Sequence, residues 1–106
     1  MNTRKIHSLI EAAYLEAAEW ADDALIDHDF MAEATSVLET FYEDFQEEIE
    51  SGEYAWPSQW GHDLWLTRQG HGAGFWDRVL IYGQELAERL TDYADALGPC
   101  SFEVSR

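Results

Sequence analysis

Apolar residues recur at three- and four-residue intervals through most of this chain, the period of an amphipathic helix. Ile6, Leu9, Ile10, Ala13, Ala17, Trp20 and Ala24 fall on one face, opposite Glu11, Glu16, Glu19, Asp22 and Asp23. They predict a first helix from residue 2 or 3 to about residue 25. Ser8 and Glu11 also fit a capping box, which would move the start to Ser8. Asp27-His28-Asp29 reads as a turn, with Asp29 the N-cap of a second helix over residues 30–50. Phe30, Ala34, Val37, Leu38, Phe41, Phe45 and Ile49 make its core face, and Gly52 its stop. The two apolar stripes predict an antiparallel helical hairpin.

Beyond residue 53 the pattern changes. Trp56, Trp60, Trp65 and Trp76 crowd into a glycine-rich stretch. Pro57 and Ser58 suggest a short helix from about residue 58 to 68. Gly70-His71-Gly72-Ala73-Gly74 is a loop by glycine content. A last helix is expected from residue 77 or 79 to 97, burying Val79, Tyr82, Leu86, Leu90, Tyr93 and Leu97, with Gly98-Pro99 ending it. Residues 101–104 suit a short extended tail. The expected fold class is all-α. It is a single small domain of three longer helices, one short helix and a Gly-rich loop. Along the chain these form an acidic hairpin (1–53), a Trp/Gly-rich segment (54–78) and a C-terminal helix (79–97).

Composition sharpens this picture. Hydrophobic residues make up 46% and aromatics 14%, which supplies a core that an acidic disordered tail lacks. Cys100 is the only cysteine, so no internal disulfide forms, which fits a reducing compartment. Glu11 interrupts the N-terminal apolar stretch, which leaves no secretory h-region, and no run reaches the ~20 apolar residues of a membrane span. The expected location is the cytoplasm.

Charge changes the functional reading most. The 106 residues carry 22 acids against six Lys and Arg, a net of −16, which repels nucleic-acid backbones and anionic membranes and favours basic partners. Between Lys5 and Arg68 there is no Lys or Arg at all. Glu39, Glu43, Glu47 and Glu50 line one helical stripe, with Asp44 and Glu48 beside it. Each like-charged i,i+4 pair costs roughly 0.2–0.5 kcal/mol. Along a helix rising about 1.5 Å per residue these acids give about one charge per 3 Å, close to the ~3.4 Å spacing on a DNA strand. Glu16, Glu19 and Asp23 add to them from the first helix. A solvated face kept for solubility is one explanation. The other is a decoy surface for a nucleic-acid-binding protein, with Glu16, Glu19, Asp23, Glu39, Glu43, Asp44, Glu47, Glu48 and Glu50 as partner-binding residues.

Residues 61–78, GHDLWLTRQGHGAGFWDR, form a distinctive run. His62, Asp63, His71 and Asp77 include metal-ligand types, but their spacing is no recognised metal motif, and hydrogen-bonded structural histidines are the default. A metal-dependent hydrolase around His62, Asp63 and His71 stays as an alternative. The glycines are followed by Phe75-Trp76 rather than the Lys and Ser/Thr of a phosphate-binding loop. Arg68 and Arg78 are within reach of Asp63 or Asp77 as structural ion pairs. Trp56, Trp60, Trp65 and Trp76, with those arginines, could instead stack on and clamp a single strand, although large aromatics more often fill a core. Cys100 reads as an unreactive thiol, and Ser58 lies in no nucleophile motif. No catalytic residue, metal ligand or cofactor is assigned, and an exposed Leu15 hints at a second contact.

This run resembles a motif found in a family of short phage and prophage proteins. These share an acidic helical segment, then this run, a helix and an extended end, which is shortened here to residues 101–106. The resemblance implies a phage origin and, by analogy with other small acidic phage proteins, an inhibitor of host defence in the host cytoplasm, anti-CRISPR first and anti-restriction second. The implied partner is a basic, nucleic-acid-binding protein of a CRISPR effector or restriction complex, with no direct duplex DNA binding.

Overall fold

The computed structural model describes residues 2–104. The first helix, α1 (Thr3–Asp22), starts on Asn2, whose side chain accepts the Lys5 N–H at 2.8 Å. It stops three residues before the expected end. Asp23 turns into the left-handed region at φ 53°, a conformation a short polar side chain tolerates, and its N–H bonds the Glu19 carbonyl at 3.0 Å. The second helix, α2 (His28–Asp44), is capped by Asp27 rather than Asp29, with the Phe30 N–H donating to the Asp27 carboxylate at 2.9 Å.

The expected continuous helix over 30–50 is divided. Phe45 leaves helical geometry at φ −120°, ψ 22°, and a short α3 (Gln46–Ser51) follows. Phe45 is buried at that break, against the Phe41 and Tyr93 rings. α4 (Pro57–Arg68) has Pro57 in its first turn, where the missing N–H costs nothing. A 3₁₀ turn (Phe75–Asp77) and a four-residue α5 (Val79–Tyr82) precede α6 (Gln84–Leu97). Gly83, at φ 81°, separates α5 from α6, so the expected single helix from residue 79 is two, and Val79 is exposed rather than buried. The fold is all-α. Among the described residues its extended pairing is a single antiparallel bridge, Ala24 with Val104, and Leu25 N–H donates to Glu103 O at 2.7 Å. The extended tail therefore ties the end of α1; Ser105 and Arg106 lie outside the described residues.

The largest departure concerns what α1 packs on. Its principal partner is α4, with α2 a minor one. Ala13, Ala17 and Ala18 are buried on α1, and Gly61 of α4 lies against the α1 backbone at Ile10 and Tyr14. A Cβ at Gly61 would lie 2.1 Å from the Ile10 carbonyl oxygen, so the two backbones touch there. The sequence shows the small residues, but the pairing of apolar stripes cannot tell which neighbour uses them. At 100° per residue the buried stripe is centred on Ile10, Tyr14 and Ala17. Leu9 and Trp20 fall on its flank, and Trp20 is 77% exposed.

Aromatic rings set the α2 backbone further out. Phe41 meets Phe75 at 6.2 Å, Tyr93 at 5.7 Å and Trp60 at 6.4 Å between ring centroids. Phe30 meets Trp65 at 5.8 Å. Rings of this size bury about 150–250 Å² each, so they supply most of the core. One hydrophobic cluster runs from Ile6 to Cys100 through the whole chain, and Leu15, expected on the surface, packs at its margin.

Candidate functional site

Much of the distinctive run at 61–78 packs into the interior. Asp63 is fully buried. Its carboxylate accepts both contacts of the Gln59 amide at 2.9 and 3.0 Å, the Arg78 Nε–H at 2.8 Å and the Tyr82 hydroxyl at 2.8 Å. A buried carboxylate needs a countercharge and hydrogen bonds, and Arg78 with Tyr82 supplies them. Burial raises the Tyr82 hydroxyl far above its ordinary value, and the Asp63 charge adds to that shift. The hydrogen bond to Asp63 also raises the Arg78 guanidinium.

Neighbouring residues complete the same network. Thr67 Oγ1 donates to the Asp63 carbonyl at 2.7 Å and accepts the Phe75 N–H at 3.1 Å. A Cβ on Gly74 would meet that hydroxyl at 2.1 Å, so the glycine keeps the turn close to α4. Asp77 accepts the Gly74 N–H at 3.0 Å. Arg68 points inward, donating to Gly98 O at 2.9 Å and the Tyr14 hydroxyl at 2.8 Å, and pairing with Glu33 at 3.2 Å. Trp65 Nε1 and His71 Nε2 both contact Asp22, at 2.7 and 2.8 Å, fastening the glycine loop to the end of α1. Burial pushes the Cys100 thiol up to about 11, with the Glu33 charge adding to it, as suits an unreactive thiol.

His62, Asp63 and His71 are not brought together. His62 lies 3.8 Å from Glu16, Asp63 is enclosed by Gln59, Arg78 and Tyr82, and His71 contacts Asp22. Among the described residues no group of three or more His, Cys, Asp and Glu side chains could hold a metal ion. The tryptophans divide. Trp60 and Trp65 are core, whereas Trp56 is 80% and Trp76 52% exposed. Neither arginine is available to clamp a strand beside them, since Arg68 is buried and Arg78 is bonded to Asp63.

The acidic positions lie mostly on the surface, in different local settings. Glu39, Glu43 and Glu47 are exposed and make no ion pair among the described residues. The break at Phe45 puts the first two on α2 and Glu47 on α3, so the predicted stripe is bent rather than straight. Glu50 accepts hydrogen bonds from Thr3, Gln46 and Tyr42. The Tyr42 bond is the main reason its carboxyl sits below the ordinary range. Glu48 is paired with Arg89 at 3.2 Å and is partly covered. Asp44 is exposed near Tyr93, whose hydroxyl burial pushes up to about 12 with Asp44 adding to the shift. Glu16 and Glu19 are exposed on α1, and Asp23 lies beyond its end rather than on its face.

Two of these interactions were not visible in the sequence. Arg89 reaches α3 across the fold, and Tyr42 is buried beneath Glu50. Tyr42 and Glu50 are eight residues apart and lie on either side of the break at Phe45. No helix of the described residues is long and apolar enough to cross a membrane. Comparison with protein-family models, with curated proteins and with solved structures finds no match.

Proposed function

We propose that this chain is a binding protein rather than an enzyme, a phage-encoded inhibitor of host defence that acts as a nucleic-acid decoy. Its acidic surface on α2 and α3 would occupy a basic groove that otherwise holds nucleic acid. An anti-CRISPR role comes first and an anti-restriction role second, and that order rests on the resemblance of residues 61–78 to phage proteins.

One observation carries the decoy reading. Among the described residues, the arginines of the C-terminal half are held by this chain's own carboxylates, Arg68 by Glu33, Arg78 by Asp63 and Arg89 by Glu48. Glu39, Glu43 and Glu47 therefore keep their full negative potential toward a partner. A protein selected only for solubility gains by mixing signs on exposed helices, because Glu–Lys pairs at i,i+4 stabilise them by a few tenths of a kcal/mol. An exposed potential of one sign instead steers association with a basic groove and weakens as salt shortens the Debye length, about 8 Å at 0.15 M.

The test is a pull-down of CRISPR effector and restriction complexes at two salt concentrations, with the natural chain and with Glu43→Lys/Glu47→Lys. The expected result is salt-sensitive capture and inhibition by the natural chain, both lost in the doubly reversed variant while its helical circular dichroism is unchanged. Inhibition that survives the reversal at physiological salt would remove the acidic face as the contact.

A further inference from the structure

A second surface lies between the 3₁₀ turn, α5 and α6, and exposed apolar side chains border it. α5 has the sequence Val-Leu-Ile-Tyr, yet of its residues only Tyr82 is buried. Leu80 is 102% exposed. Val79, Ile81 and Trp76 are exposed as well. Gly83 is the cause: its positive φ turns the chain so that α5 does not continue the α6 axis, and these side chains miss the core that α6 joins. Beside Trp76 and Val79 runs an open trough of about 470 Å³, completed by Gln84, Ala87, Glu88, Thr91 and Asp92 of α6. Its floor makes few polar demands, because Ala87 is buried and the Thr91 hydroxyl is satisfied by the Ala87 carbonyl at 2.8 Å.

We propose that this trough docks a basic amphipathic helix of a partner protein. Three features select that occupant. The α6 side runs from Gln84 to Asp92, about 12 Å at roughly 1.5 Å per residue, the length of about two turns of a partner helix. Helix-in-groove recognition places apolar side chains at i, i+3 or i+4 and i+7 into such a trough. Glu88 and Asp92 form its rim at i,i+4, a like-charged pair that an isolated helix disfavours and that lysines or arginines flanking the apolar anchors would neutralise. A second copy of this chain fits less well, since each copy carries −16. A nucleic-acid strand stacking on Trp76 would meet the same two carboxylates. The trough uses none of the acids on α2 or α3, so the decoy reading and this one fail separately.

The experiment titrates the isotope-labelled full chain with a leucine–lysine amphipathic helical peptide of about 18 residues, followed by NMR chemical shifts, and repeats it with glutamate in place of each lysine. Binding of the lysine peptide should shift the Trp76 indole and residues 79–81, 87, 88 and 91, and the glutamate peptide should not bind. Trp76→Ala/Val79→Ser, at exposed positions that line the trough, should weaken binding at least about tenfold. Glu88→Gln/Asp92→Asn, which leaves the apolar wall intact, should weaken it about threefold at low salt and by less at high salt. Unchanged affinity in both variants, or shifts confined to residues 39–50, would overturn the proposal. So would a concentration-dependent dimer that protects Leu80, or oligonucleotide binding that shifts the Trp76 indole.

Discussion

Asp63 and Glu43 carry the same charge, and the fold treats them in opposite ways. Asp63 is sealed in the interior and met by four donated contacts, including a guanidinium. Glu43 stands in solvent, one turn from Glu39 and Glu47, with no ion-pair partner among the described residues. The contrast separates two kinds of sequence signal. The residue order of 61–78 is distinctive because packing dictates it: Gly61, Asp63, Trp65, Thr67, Arg68, Gly74, Phe75 and Arg78 each have a fixed interior task. Glu39, Glu43 and Glu47 have no such task, so packing does not dictate their composition. The largest expected effect breaks the first half of this comparison. Asp63→Ala strands the Tyr82 hydroxyl and the Gln59 amide and leaves Arg78 without its countercharge. It should cost about 3–5 kcal/mol in urea denaturation. Asp63→Asn keeps the shape and should cost less. A loss below 1 kcal/mol for the alanine variant would mean that Asp63 is not the hub it looks to be.

The α1–α4 seam supplies the next effect. Gly61→Ala sets a methyl group 2.1 Å from the Ile10 carbonyl oxygen, which is backbone and cannot swing aside. The helices must separate, and a loss of about 1–3 kcal/mol is expected from overpacking, read as a lower urea midpoint at unchanged slope. Ala→Ser on exposed α1 position Ala12 serves as the control and should change little.

This seam also marks where the sequence stopped being legible. Helix existence followed from periodicity, and most of the core contributed by α2, the break and α3 was readable because Phe30, Ala34, Leu38, Phe41, Phe45 and Ile49 recur at helical spacing. Pairing was not readable. A small-residue face on α1 fits any neighbour, and the glycine that selects α4 lies 51 positions after Ile10. The breaks at Phe45 and Gly83 were hidden because the apolar period runs through both. Of the carboxylates named as partner-binding, all but Asp23 fall on helices, and none could be paired from the sequence. Glu48 and Glu50 are drawn into contacts with Arg89 and Tyr42 that depend on tertiary geometry.

The buried hydroxyls and thiol predict a pH response of intermediate size. Tyr93 is raised from 10.0 to about 12 and Cys100 from 9.0 to about 11, each chiefly by burial. A group whose folded value is raised stabilises the fold fully below its unfolded value and loses that contribution as pH rises to the folded one. Stability should therefore fall from about pH 9 to pH 12. Cys100→Ala should flatten the first part of that decline in a series of thermal melts. An unchanged profile would mean that Cys100 meets solvent in the folded chain.

The smallest effect sharpens the second half of the comparison. Like charges at i,i+4 destabilise by roughly 0.2–0.5 kcal/mol each, so Glu43→Lys/Glu47→Lys converts the repulsions of position 43 with Glu39 and of position 47 with Glu50 into attractions, while the 43–47 pair stays like-charged. If those acids serve only the fold's solubility, the variant loses nothing a partner would notice and gains that small stability. If they serve a basic groove, stability and binding move in opposite directions: thermal melting rises slightly at low salt while capture of the partner collapses. High salt should shrink both changes, because it screens exposed charges and leaves the buried Asp63–Arg78 pair nearly untouched. A variant that melts lower than the natural chain at low salt would show that Glu43 and Glu47 hold structure after all, and the division between an interior motif and a free acidic face would not stand.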